Sequence, residues 1–463
     1  MPLPASVSRE SARNPDYFPG LGLALPLGIQ HVLAMFVSNL TPPIIIAGAA
    51  GFGFGSPDPS ELIYMIQMAM LFAGIATLMQ TVGLGPIGAR LPLVQGTSFA
   101  YIPVMIPIVA GKGVGAMAAL TTAALIGGLV HGALSVFVGR VRFALPPLIT
   151  GLVVLMIGLS LMRIGVQYSA GGVPAIGTPA YGAGASWLLA SVVVFATLGL
   201  KFFARGIWST ASVLLGLAAG YLAALAMGRI SFAAVADAPL AMVPQPFHFG
   251  IAFSASAILG FVLTGFVSSI ESIGDVEAIC EGTAGRPATD AELKGAVAAD
   301  GVGTALAAVF GAMPNTTFSQ NVGLIAITGM MSRHVVTLGA VFLIVCGLVP
   351  KIGAVITTIP IEVLGGGVIV MFGMVASAAL SMLAGVTWNQ RNMLVFGVPL
   401  SLALGLQLEP AAVTYLPETA RILATSGVLP AAVLAIVLNL VLPAETADEE
   451  ATSASPASSG VTG

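Results

Sequence analysis

The chain has 463 residues, 57% hydrophobic and only 8% charged, with a mean hydropathy of +1.02. Soluble domains carry roughly 25% charged residues, so this chain cannot cover its own surface in water. A net charge of −3 leaves no basic footprint for nucleic acid. Cys280 and Cys346 lie too far apart in sequence for a ligand pair or a disulfide framework.

In chain order, residues 1–18 form a polar segment carrying Arg9, Glu10, Arg13 and Asp16. The apolar stretch that follows has no small-residue cleavage site, so it reads as a span rather than a removed signal. Fourteen apolar segments then follow, at 20–50, 62–83, 92–110, 113–138, 147–163, 186–200, 207–228, 249–275, 293–312, 315–331, 334–350, 361–385, 392–408 and 421–443. Stretches such as Leu62 to Val82 meet the length of about 20 apolar residues that a membrane-crossing helix needs. Residues 444–463 are acidic and rich in Ser, Ala and Thr, a composition that predicts disorder.

An even number of spans puts both termini on one side, and positive charge chooses the side. Termini in the cytoplasm leave Arg9, Arg13, Arg90, Arg140, Arg142, Lys201, Arg205, Arg286, Lys294, Arg333 and Arg391 inside. Lys112, Arg163, Arg229, Lys351 and Arg421 fall outside, an 11 to 5 division of the 16 basic residues. The expectation is a multi-pass protein of the cytoplasmic membrane.

The two halves of the chain also match. Arg90 to Phe99 opens the third segment and Ala312 to Phe318 the tenth, each with a Thr-(Ser/Thr)-Phe step shortly after a proline. Gly151 to Gly158 and Gly366 to Gly373 match in the fifth and twelfth. Both matches are offset by seven segments. Because seven is odd, the second half is inverted, the pattern of secondary carriers with a midplane site between broken helices. Pro92, Gly96, Pro314 and the neighbouring threonines disfavour continuous helix. Such backbone survives at membrane depth only where protein or a wet cavity satisfies it.

Ionisable groups inside spans are expensive and normally functional. Glu271 follows the charge-free run Ile251 to Ile270, and Asp275 lies one helical turn further on the same face. Two carboxyls that close favour retention of a proton by one of them, which suits proton coupling. Asp300, Gln30-His31 and Gln320-Asn321 complete the set. Bland alternatives exist: a solvated helix end for Asp275, a helix start for Asp300, and a hydrogen-bonded core histidine for His31. Glu362 suits the start of the twelfth span. No HExxH, paired metal-ligand spacing or nucleophile motif is present, so neither catalysis nor a metal is expected.

These residues resemble the nucleobase–ascorbate transporter family. Its signature is matched by Gln320-Asn321-Val322-Gly323 with Thr328-Gly329. Gln30-His31, Glu271-Ser272-Ile273-Gly274-Asp275, Gly96-Thr97-Ser98-Phe99, Pro314-Asn315-Thr316-Thr317-Phe318 and Ala299-Asp300-Gly301 add to it. The resemblance covers about residues 20 to 443. It implies an all-α polytopic fold of fourteen transmembrane segments in a 7+7 inverted repeat, with short strands in two broken segments at the substrate site. A core domain (19–138 and 249–358) would move substrate against a gate domain (139–230 and 359–443) in an elevator-type homodimer.

It further implies that Glu271 and Gln320 bind the base through side chains, and Phe99 and Ser319 through backbone. Asp275, Asp300, His31 and Asn321 would be supporting or proton-linked residues. Gln320 and Asp275 resemble the xanthine and uric acid branch, whereas uracil carriers usually have Glu and His there. Val322 stands where several xanthine and urate carriers have Asn, so the resemblance does not choose between the two purines. The expected function is proton-coupled uptake of xanthine or uric acid, with no cofactor beyond the proton. The alternatives are a uracil permease of the family and an anion exchanger of the same fold, and Glu271 argues against the second.

Overall fold

A chain this apolar buries its backbone polar groups inside helices, since lipid offers them no partner. The computed structural model describes residues 8–54, 56, 58–141 and 146–443. The acidic tail and Arg142 lie outside the described residues.

Among the described residues, fourteen of the helices and two short strands make up the framework. They are α1 (Leu21–Ala50), α2 (Ser60–Val82), β1 (Gln95–Thr97), α3 (Ile102–Val109), α4 (Met117–Leu134), α5 (Pro147–Ser169), α6 (Gly184–Phe203), α7 (Ser212–Ala226), α8 (Ala255–Ile279), α9 (Asp290–Val309), β2 (Asn315–Thr317), α10 (Ser319–Thr328), α11 (Arg333–Gly347), α12 (Ile361–Leu383), α13 (Gln390–Leu408) and α14 (Val428–Val441). Among the described residues, eight helices are individually long and apolar enough to cross a membrane. The number reaches ten if α11 with Pro350–Thr357 and Glu418–Thr425 with α14, each sharply bent, count as one span apiece.

Helix ends follow local chemistry. Thr289 and Glu292 form a capping box at the start of α9, satisfying two otherwise orphaned N–H donors. Glu362 opens α12 as expected from the helix dipole. It is nevertheless buried, with Arg229 at 2.9 Å and the Ser186 hydroxyl donating to it at 3.2 Å.

The helices pack in recurring pairs. α4 lies along α9 and α8, while α11 lies along α2 and α1; α5 lies along α12. α6 packs with α7 and α13 with α14, and β1 rests on α1 and α2 as β2 rests on α8 and α9. Small residues permit the closest approaches. A Cβ on Gly301 of α9 would lie 2.0 Å from the Gly132 nitrogen and 2.8 Å from the Gly128 oxygen of α4. Backbone cannot yield as a side chain does, so Gly301→Ala is expected to cost about 1–3 kcal/mol. Thermal unfolding in detergent measures this, and an unchanged midpoint would contradict the close packing.

Candidate functional site

The breaks at Pro92 and Pro314 yield the two strands, which pair antiparallel with Gln95 opposite Thr317, Gly96 opposite Thr316 and Thr97 opposite Asn315. Helices α3 and α10 start just beyond them, so two positive helix ends face the strand pair. Neighbouring side chains satisfy the outward backbone groups. The Gln95 N–H donates to the Thr77 hydroxyl at 2.9 Å, the Thr97 N–H to Asn39 Oδ1 at 2.8 Å, and the Asn315 N–H to the Thr304 hydroxyl at 3.0 Å. These partners meet the requirement for non-helical backbone at depth. Gly96 is required by space, since a Cβ there would lie 2.5 Å from the Phe318 ring.

Phe99, Glu271, Ser319 and Gln320 converge on one cavity beside the strands. Thr316 and Phe318 complete its polar-lined wall, and Val154 and Ile157 of α5 with Val375 and Ala378 of α12 form the opposite, apolar wall. The Phe99 ring packs edge-on against Phe372 of α12 at 5.4 Å and stacks with Phe318 at 6.3 Å. Glu271 Oε2 is buried and, among the described residues, makes no hydrogen bond. An acceptor at a cavity wall with no donor among the described residues is an exception to the usual pairing of buried polar atoms.

Asp275, Asp300, His31 and Asn321, the residues expected to support the site, separate into three groups. Asp275 is buried rather than solvated, and its carboxylate accepts from the Ser319 hydroxyl at 3.1 Å. Asp300 lies mid-helix in α9, not at its start. It is fully buried and accepts from Gln80 Nε2 at 3.0 Å, from Gln95 Nε2 at 2.6 Å and from the Ser272 hydroxyl. His31 is the hydrogen-bonded core histidine of the bland reading, and its bond leads to the site. Asn321 Nδ2 donates to the His31 carbonyl at 3.0 Å and to His31 Nδ1 at 3.1 Å. The carbonyl can only accept, which fixes the amide orientation, so the proton of a neutral ring is on Nε2. Asn321 thereby anchors the first turn of α10, where Gln320 sits.

Sequence reasoning missed Asn39, Thr77, Gln80, Gln95, Ser272 and Thr304. The available signal was an amide or hydroxyl in an otherwise apolar span, and Gln80 and Asn39 carry it most clearly.

The family model described as "Permease family" matches residues 22–412. The chain belongs to the nucleobase–ascorbate transporter family. It is 36% identical over 418 residues to the uric acid permease PucJ of Bacillus subtilis, covering 89% of this chain and 91% of that one. It is 34% identical over 440 residues to the xanthine permease XanP of Escherichia coli, covering 92% and 93%. Among solved structures it resembles the transmembrane domain of a cyanobacterial bicarbonate transporter, BicA, with a TM-score of 0.57 at 12% identity, covering 90% of this chain and 98% of that one. That likeness is one of fold. The chain is thus a multi-pass membrane transporter, and its relatives are permeases rather than enzymes.

Proposed function

We propose that this transporter takes up a purine base, xanthine or uric acid, together with a proton across the cytoplasmic membrane. The observation that carries the reading is the convergence of Glu271 and Gln320 on one cavity beside two helix starts. Xanthine presents alternating N–H donors and C=O acceptors along its edge. A carboxylate accepts from two N–H groups through charge-assisted bonds about twice as strong as neutral ones. The Gln320 amide offers one donor and one acceptor. Backbone groups at Phe99 and Ser319 add further partners, and the Phe99 ring gives the base a face to pack on. The relatives named for xanthine and uric acid support the same substrate class. Among the described residues, no Lys or Arg lines the cavity, which disfavours an anion exchanger. Urate is itself an anion, and a proton held near Glu271 or Asp275 would relieve its repulsion.

The architecture we infer is fourteen spans in a seven-plus-seven inverted repeat. The packing pairs support it: adding or subtracting seven turns α4/α9 into α11/α2, α4/α8 into α11/α1, and α6/α7 into α13/α14. The same operation leaves α5/α12 unchanged. Core segments 19–138 and 249–358 then carry the polar wall of the cavity, and gate segments 139–230 and 359–443 carry the apolar wall. The cavity measures about 20 Å³, room for about one water, so a purine requires the two walls to part. An elevator movement of core against gate supplies that separation. The proposed assembly is a homodimer with both termini in the cytoplasm.

Uptake of labelled xanthine and urate into proteoliposomes tests the coupling. An inward proton gradient is expected to drive accumulation, and an uncoupler to abolish it. Uptake that requires sodium and ignores the uncoupler would refute the proton.

A further inference from the structure

A second cavity, of about 860 Å³, lies at the start of α2. It is enclosed by the α1–α2 loop, the connection from α7 to α8 (227–254) and the helix Pro350–Thr357. That size falls in the range of about 300–1,000 Å³ typical of small-molecule pockets, whereas the cavity at Glu271 measures about 20 Å³. On the orientation proposed above, the larger cavity stands at the outer face. Its wall holds Glu61 and Tyr64 of α2 together with His248 from the α7–α8 connection.

His248 is seated there as a ligand would be. Its ring stacks on the Tyr64 ring, with centroids 3.8 Å apart and planes 16° from parallel, and meets the Phe249 ring edge-on at 4.8 Å. Nε2 lies 2.7 Å from Glu61 Oε2, and Nδ1 lies 3.3 Å from Gln245 Oε1. An ionised carboxylate can only accept, so Nε2 carries the donated proton. The receptor is fixed without the imidazole: the Tyr64 hydroxyl donates to the Phe310 carbonyl at 2.8 Å, and Glu61 stands in the first turn of α2. The occupant is held less firmly. His248 lies outside any helix or strand and follows Phe247, whose φ of 53° is strained for a bulky side chain. The His248 side chain is 20% exposed and that of Glu61 32%, so the imidazole has a way out and a ligand a way in.

A purine contains the same ring. Its five-membered half is an imidazole, with two nitrogens in the 1,3 relation of His248 Nδ1 and Nε2, whereas uracil has no such ring. We propose that Tyr64 and Glu61 form an outer receptor site for the purine base, which enters by displacing His248. This rests on the purine reading above. The five-membered ring of the base stacks on Tyr64 and donates an N–H to the Glu61 carboxylate, the charge-assisted bond that His248 makes in its absence. The six-membered ring, with its carbonyls and remaining N–H groups, extends into the cavity beyond the imidazole. Occupancy by His248 lowers the apparent affinity by the fraction of time the site stands free. The outer site thus discriminates purine from pyrimidine independently of Gln320.

The test is equilibrium binding of labelled xanthine to the purified full-length protein in detergent, in a Glu271→Ala background that silences the central cavity. His248→Ala is expected to tighten this binding about tenfold, as for a site that its own side chain fills about nine-tenths of the time. His248→Ser also vacates the site and is run beside it, so that the folding of one variant does not decide the result. Adding Glu61→Gln to the His248→Ala protein is expected to weaken binding about tenfold through loss of the charge-assisted bond. Free imidazole is expected to compete with xanthine in the His248→Ala protein, and uracil to have little effect. If the His248–Glu61 pair only pins the connection to α2, vacating it tightens nothing. Unchanged or weaker binding in both His248 variants would therefore overturn the proposal, as would binding indifferent to Glu61→Gln. Failure of the central reading shows separately: xanthine binding that Glu271→Ala alone leaves unchanged would refute Glu271 as the anchor, while the responses to His248 and Glu61 still judge the outer site.

Discussion

Glu271→Ala is expected to abolish transport while the protein still reaches the membrane. Among the described residues, this side chain is the one carboxylate lining the cavity, and its buried Oε2 has no hydrogen-bond partner. On the proposed reading, its removal would delete two charge-assisted bonds to the base, each contributing about 1.5–3 kcal/mol. A loss of about 3 kcal/mol or more corresponds to a hundredfold or greater drop in affinity. The neighbours cannot compensate. Asp275 is held by the Ser319 hydroxyl, and Asp300 is enclosed by Gln80, Gln95 and Ser272. Labelled xanthine uptake, normalised to membrane expression, gives the answer. Near-normal uptake would show that Glu271 is not the anchor.

Gln320→Glu tests the reading of the base. The substitution keeps shape and reach but replaces the amide donor with a second carboxylate across a small cavity from Glu271. A ligand carbonyl formerly paired would face an acceptor, at a cost of about 1–3 kcal/mol for an unsatisfied buried group. Repulsion between two carboxylates in a site of low dielectric adds to this. At least a roughly tenfold loss of affinity for xanthine and urate follows, since each 1.4 kcal/mol is tenfold. If the new carboxyl keeps a proton, the loss shrinks at low pH, so competition is measured at two pH values. Unchanged inhibition by both purines at both pH values would remove Gln320 from the recognition set.

Much of this site was legible in the sequence because lipid makes the grammar strict. A carboxylate after a long charge-free run has few places to go, and Glu271 stands at the cavity wall. Proline, glycine and β-branched residues inside apolar segments marked the two breaks, and paired strands occupy both. The pairing of distant polar residues was not legible. Gln80, Gln95, Ser272 and Asp300 come from four separate segments, and no local period records that they meet. Asp275 had a solvated helix end as its alternative and Asp300 a helix start, and only the packed structure excludes them.

The central claim is that this cavity selects a purine. Its most direct test is labelled xanthine uptake by cells producing the protein, challenged with unlabelled xanthine, urate, uracil, ascorbate and bicarbonate. Strong competition by xanthine or urate, with little effect of uracil, ascorbate or bicarbonate, is the predicted result. Absence of saturable xanthine uptake at normal expression, or competition by uracil stronger than by either purine, would contradict it.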